Sequence, residues 1–246
     1  VQRAPSPSTF AREAARDPSN RRVATTVHTL AVAAAIGATT FLLLVPMAWH
    51  TAQVGRFDRW VLDANLPRYS SVFSVGRVLS VVGSGTMVTI AAIRLVYLVW
   101  RRARRPWLAF GAIVAIGGSA IVEYCAKAII ARPRPSTATL TGLSGYGFPS
   151  GHTTTATAFA STAAVLLLGV SPEAASPRQR HLITGIAGLY ALGVAAGRIM
   201  VGAHYLTDTV AGLAIGASIA FAALAAALTA EARRNGATYA ATIGRG

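Results

Sequence analysis

The stretch WLAFGAIVAIGGSAIVEYCAKAIIARPRP (107–135) carries charge only at Glu123 and Lys127 until it reaches its Arg-Pro end. A membrane span needs about 20 mostly apolar residues, and 107–130 supplies them. Pro133 cannot extend a helix, and each proline drives the residue before it toward extended geometry. The helix therefore ends near Ala131, and Arg132 and Arg134 project from an extended RPRP strip at the membrane surface. Lys127, the only lysine of the chain, sits just inside that end. An ammonium is a compact point charge where guanidinium is a planar fork.

Outward from this segment, five more stretches are apolar enough to span, at 24–49, 83–100, 153–170, 182–200 and 205–230. Pro46 is expected to kink or end the first. The apolar run from 23 to 49 exceeds a signal-peptide core of about 7–15 residues, so it reads as a retained span. The segments 153–170 and 182–200 are rich in Ala, Gly and Thr, a composition that lets helices pack closely. The expected fold is all-α: a polytopic membrane protein with six transmembrane helices in one bundle. It divides into a polar, disordered tail (1–22), a transmembrane domain (23–231) and a second tail (232–246).

Composition agrees. The chain has 246 residues, 53% hydrophobic and 13% charged, with mean hydropathy +0.50, against roughly 25% charged in soluble domains. The net charge of +15 does not point to nucleic acid, because the arginines cluster between apolar runs and no zinc-finger or RNA-binding motif accompanies them. Cys125 is the only cysteine, so no disulfide forms within the chain. With six spans, fourteen arginines fall on the side of both termini and eight basic residues on the other, half of those in the candidate site; Arg94 lies within a span. The positive-inside rule then places both termini in the cytoplasm and the site on the extracytoplasmic face. The connection 50–82 is amphipathic. It reads either as an interfacial segment, with Trp60, Leu62 and Phe73 in the lipid headgroup layer, or as an ordinary loop with a short helix.

Three polar groupings fall on one membrane face under this topology. Lys127, Arg132 and Arg134 form the first, which by itself equally describes a basic flank anchoring a helix. Pro149-Ser150-Gly151-His152 opens the fourth span, where free N–H groups attract an anion, Gly151 lets it approach the backbone and Ser150 adds a hydroxyl. Alone it also reads as a helix cap beside an interfacial histidine. Arg198 closes the fifth span, and His204 and Asp208, four residues apart, share a face at the start of the sixth. A carboxylate beside an imidazole orients it and stabilises its charged form; alone it also reads as a structural His–Asp pair near an interface. Glu123 lies one turn before Lys127 and pairs with it structurally.

These residues resemble the type 2 phosphatidic acid phosphatase superfamily, which includes membrane lipid phosphatases. The family's motifs are Lys, six residues, Arg-Pro; Pro-Ser-Gly-His; and Ser-Arg, five residues, His, three residues, Asp. The chain matches them at Lys127 to Arg134-Pro135, at 149–152, and at Arg198, His204 and Asp208, with Gly197 in place of the family's serine. Only four residues rather than six separate Arg132 from Lys127, so it ranks below Arg134 as a supporting contact. The resemblance implies that His204 attacks phosphorus to form a phosphohistidine, oriented by Asp208. It implies that His152 protonates the leaving oxygen, and that Lys127, Arg134, Arg198, Ser150 and the Gly151 N–H hold the phosphoryl oxygens.

Phosphoryl transfer needs in-line geometry and stabilised equatorial charge. The chain offers no carboxylate cluster for a metal but several fixed cations, so no metal and no cofactor is expected. The expected substrate is a membrane lipid phosphate or diphosphate: a polyprenyl (undecaprenyl-type) diphosphate, phosphatidate or phosphatidylglycerol phosphate. Two other readings compete. One is a phosphotransferase that passes the phosphoryl group to an acceptor hydroxyl. The other is a phosphate-binding membrane protein or transporter without chemistry, which would have no need of a His–Asp pair.

Overall fold

The computed structural model describes residues 18–49, 51–64, 71–142, 144–169 and 175–243. The expected tail 1–22 therefore lies mostly outside the described residues. Among these, the chain forms eight α-helices: α1 (Pro18–Trp49), α2 (Thr51–Ala64), α3 (Ser71–Val82), α4 (Gly85–Arg101), α5 (Pro106–Ile130), α6 (Gly151–Gly169), α7 (Pro177–Met200) and α8 (Leu206–Ile243). A short 3₁₀ turn covers Ser136–Thr141. The fold is all-α, and the chain is a multi-pass membrane protein.

Local chemistry sets several of these limits. Ser84 caps α4 by accepting a hydrogen bond from the Met87 N–H. Ser176 and Gln179 form a reciprocal capping box at the start of α7, with Pro177 in the first turn. Ala131, in the left-handed region at φ 51°, closes α5 just before the RPRP strip. Pro46 does not end α1, which continues to Trp49.

Among the described residues, five stretches are long and apolar enough to cross a membrane: Arg21–Ala48, Ser71–Arg101, Pro106–Ile130, Pro177–Met200 and Leu206–Asn235. The second is longer than the sequence indicates because α3 precedes α4 across a break at Gly83-Ser84. The expected fourth span, 153–170, forms the 19-residue helix α6, about 28 Å long at 1.5 Å per residue. It is less apolar than those five stretches, with threonines at 153, 154, 155, 157 and 162. Those threonines face protein. Thr153, Thr154, Thr157 and Thr162 are buried, and α6 is enclosed by α5, α7 and α8.

The long C-terminal helix α8 is the axis of the bundle, packing on α1, α5 and α6. Glycines permit the closest approaches. A Cβ at Gly212 would stand 2.9 Å from the Ser150 carbonyl oxygen, so α8 lies against the start of α6. The outer faces carry the exposed apolar side chains, such as Ile36, Leu42, Leu43, Ile90 and Leu189.

The connection 50–82 is mostly helical. Trp60 faces outward, as an interfacial segment requires, but Leu62 is buried. Its second half, α3, packs on α7 as part of the bundle.

Candidate active site

The strip after α5 forms as its prolines dictate. Pro133 bridges antiparallel to Tyr146, and Gly147 N–H donates to the Arg132 carbonyl at 2.8 Å. Residues two apart on an extended strand share a face, so Arg132 and Arg134 both turn inward while Pro133 is exposed. The same pairing delivers residues 146–149 to the start of α6. There Ser150 N–H donates to the Asp208 carbonyl at 2.9 Å, joining the second motif to the third. The corner between α7 and α8 is fixed by Ala203 N–H to Arg198 O, 3.0 Å, and by Thr137 Oγ1 donating to Gly202 O, 2.7 Å.

The residues expected at the site converge. Lys127 pairs with Glu123 one turn before it, and both border Gly151, where a Cβ would lie 3.2 Å from Lys127 Nζ. The ionisable neighbours of His152 include Arg198, His204, Lys127 and Arg134. Ser150, Arg198, His204 and Asp208 are buried. Among the described residues no group of three or more His, Cys, Asp or Glu is placed to hold a metal.

His204 is 1% exposed and sits between two partners of opposite charge. Arg134 Nη1 lies 2.8 Å from its Nε2, and Asp208 Oδ2 lies 3.4 Å from its Nδ1. The second contact is within ion-pair reach but out of line for a hydrogen bond. Arginine only donates, so Nε2 accepts and the ring proton resides on Nδ1, facing the carboxylate. Burial pushes the imidazole down to about 4; Asp208 opposes that shift, and Arg134 and Arg198 reinforce it. The ring is thus neutral at physiological pH, with a nucleophilic lone pair on Nε2.

Arg134 Nε and Arg198 Nε and Nη2 are buried with no hydrogen-bond partner among the described residues. Unmatched buried donors are costly, and here they belong to two guanidinium groups whose charges both act on His204. At the start of α6, the first-turn N–H groups also lack helical acceptors. A donor set of this kind can take a tetrahedral oxyanion.

A sequence model described as the PAP2 superfamily matches residues 106–231, just over half of the chain. The chain belongs to the PAP2 superfamily. Phosphatidylglycerophosphatase B of Bacillus subtilis (strain 168) is 28% identical over 118 residues, which are 48% of this chain and 57% of that protein. The match therefore spans little more than half of that relative's length. The crystal structure of the first transmembrane PAP2-type phosphatidylglycerolphosphate phosphatase from Bacillus subtilis aligns with a TM-score of 0.64. That alignment covers 76% of this chain and 94% of the other at 22% identity, a likeness of fold.

Two features of this PAP2 site are not evident from the motifs. The first is Asp58 on α2, fully buried. Its Oδ1 accepts from Thr207 N–H at 3.1 Å, and its Oδ2 from Thr207 Oγ1 at 2.6 Å. The second is the direction of Arg132. Sequence spacing makes it a supporting contact beside the phosphate; instead its Nη2 donates to Asp58 Oδ2 at 2.8 Å and its Nη1 to Asp208 Oδ1 at 2.6 Å. The Tyr205 ring lies 4.7 Å from its guanidinium carbon. The i, i+2 pairing of Arg132 with Arg134 signals that both face inward. No period or motif marks Asp58.

Gly197, where the family has serine, sits at the crossing of α7 and α3. A Cβ there would lie 2.7 Å from Leu79 Cβ and 3.0 Å from the Gly76 carbonyl oxygen. Its missing side chain would point at α3.

Proposed function

We propose that the chain is a membrane lipid phosphatase that hydrolyses a lipid phosphate ester or anhydride through a phosphohistidine on His204. The observation that carries this reading is the pairing of a buried, neutral His204 with unmatched guanidinium donors on Arg134 and Arg198. A phosphoryl group entering among those donors takes the Arg134 N–H from Nε2, which frees the lone pair for attack. The Nε2–P bond forms as the P–O bond to the lipid breaks, and His152 gives its proton to the departing oxygen. Water then attacks phosphorus, returning a proton to His152. The N–P bond breaks and inorganic phosphate leaves. Asp208 stabilises the cationic ring throughout, and splitting one displacement into two lowers each barrier. Lys127, Ser150 and the Gly151 N–H complete the phosphate cradle, and Arg134 and Arg198 provide the charge stabilisation that metals supply elsewhere, so turnover is metal-independent.

The excess of arginine at the opposite end of the bundle supports cytoplasmic termini and an extracytoplasmic site. A site at the mouth of a helix bundle suits a lipid whose tail stays in the bilayer. The name of the Bacillus relative supports a phosphatidylglycerol phosphate headgroup, and the outward-facing site supports a polyprenyl diphosphate. Purified protein in detergent with EDTA, offered phosphatidylglycerol phosphate, phosphatidate and polyprenyl diphosphate in turn, is expected to release inorganic phosphate from at least one. Full release by His204→Ala, or a strict metal requirement, overturns the reading.

A further inference from the structure

The catalytic carboxylate does not stand alone. Asp208 divides its oxygens: Oδ2 accepts from Tyr205 N–H at 3.1 Å and faces His204 at 3.4 Å, while Oδ1 is taken by Arg132 at 2.6 Å. Arg132 is 3% exposed and Asp208 0%, so the ion pair is shielded from water. By itself that pair is a difficulty for catalysis. A guanidinium held against Asp208 cancels the negative charge that a carboxylate beside an attacking imidazole is there to supply. Asp58 removes the difficulty. It is fully buried on the far side of the same guanidinium, 2.8 Å from Nη2. Two carboxylates and one guanidinium leave one net negative charge, and the Asp208 oxygen that faces His204 is the one Arg132 does not occupy.

We propose that Asp58 is a positioning residue of the reaction: by engaging Arg132 it preserves the negative charge that Asp208 presents to His204. Arg132 then serves as a fixed bridge, bonded to Asp58, Asp208 and Thr207 Oγ1 (2.6 Å). It ties α2 and the start of α8 to the end of α5. The inference rests on His204 being the nucleophile. A purely structural role makes a different forecast. Asp58 also caps α8 through Thr207 N–H, and a cap needs an oxygen acceptor but no charge.

Asp58→Asn separates the two, because the amide keeps an acceptor oxygen and loses the charge. If the charge matters, kcat falls about 10–100-fold, the range for losing the hydrogen-bonded partner behind a metal-bound side chain, carried over to the partner behind Asp208, and KM barely moves because Asp58 touches no substrate. The double variant Asp58→Asn/Arg132→Gln removes the positive charge as well. It restores one net negative charge at Asp208, and is expected to recover most of the lost kcat. A structural cap predicts the reverse, the double variant being worse than the single one. Wild-type kcat in Asp58→Asn, or no recovery in the double variant, overturns the proposal. If Asp58→Asn does not accumulate in membranes, the double variant decides alone. A kcat near wild type supports the charge argument, and a loss as deep as that of His204→Ala overturns it. His204→Ala run in parallel keeps the cases apart: if it stays active, the nucleophile is misassigned; if it is dead while Asp58→Asn is normal, only the role of Asp58 fails.

Discussion

Restoring the family's serine at Gly197 is expected to damage this protein. The family pattern places a hydroxyl beside Arg198, and replacing an unusual residue by the common one often stabilises a fold. Here the Cβ of Gly197→Ser would stand 2.7 Å from Leu79 Cβ, 3.0 Å from the Gly76 carbonyl oxygen and 3.3 Å from the Ser80 nitrogen. Two of those three are backbone atoms of α3 and cannot rotate away, so α3 must shift outward from α7. Overpacking of this kind costs about 1–3 kcal/mol, and about 2–4 °C of Tm accompanies each kcal/mol in a chain of roughly this size. The assay is thermal unfolding of detergent-purified protein followed by tryptophan fluorescence, together with kcat/KM. Gly197→Ser is expected to melt several degrees lower and to turn over more slowly, because Arg198 is the next residue and moves with the distorted helix. Leu79→Gly, which removes the contacting Cβ, is expected to recover part of the loss in the double variant although it costs stability alone. A Gly197→Ser protein as stable as wild type and equally active would refute the reasoning.

Three further outcomes follow from the same geometry. His204 is held near 4 by burial, below the unfolded value of about 6.5. NMR of imidazole-labelled protein is therefore expected to show no titration of this ring between pH 5 and 8, and a midpoint near 6.5 would contradict its environment. Between those two values the unfolded chain binds the extra proton, so this group contributes stability above about pH 6.5 that is lost as pH falls toward 4. Gly151→Ala places a methyl 2.6 Å from Glu123 Oε1 and 3.2 Å from Lys127 Nζ; the displaced ammonium is expected to raise KM and lower kcat, with kcat/KM down about tenfold or more, since one misplaced ångström can cost about 100-fold. Lys127→Arg keeps the charge but puts a broad fork where Glu123 and the bare Gly151 backbone leave room for a compact group, and kcat/KM is expected to fall about tenfold or more on the same ground. Wild-type turnover would show that charge alone suffices.

The parts of the fold legible in the sequence are those with a local cause. Hydropathy marks α1, α4, α5, α7 and α8, and the two prolines of RPRP mark the end of α5. The third motif is legible because His204 and Asp208 lie one helical turn apart. α6 is recognisable as an apolar segment, but its threonines make it too polar to qualify as a span alone, since it is surrounded by helices rather than lipid. α3 was hidden inside a connection because it is short and its role is to meet α7 at Gly197. Asp58 was illegible for a plainer reason. Its partners Arg132 and Thr207 are 74 and 149 residues away, and nothing in its own segment, FDRWVLD, distinguishes a buried carboxylate from a surface one. The strip geometry puts Arg132 in this neighbourhood, but its bond to Asp58 is not legible, because that carboxylate lies in the unmarked segment.

The most direct test of covalent catalysis at His204 is to trap the intermediate. Purified protein mixed with a lipid substrate labelled in its terminal phosphate, and quenched in alkali within the first turnovers, is expected to carry label that is stable to base and released by acid, the behaviour of a phosphoramidate on histidine. His204→Ala is expected to carry none. Labelled His204→Ala protein, or hydrolysis at full rate with no labelled wild-type protein at any quench time, would contradict attack by His204.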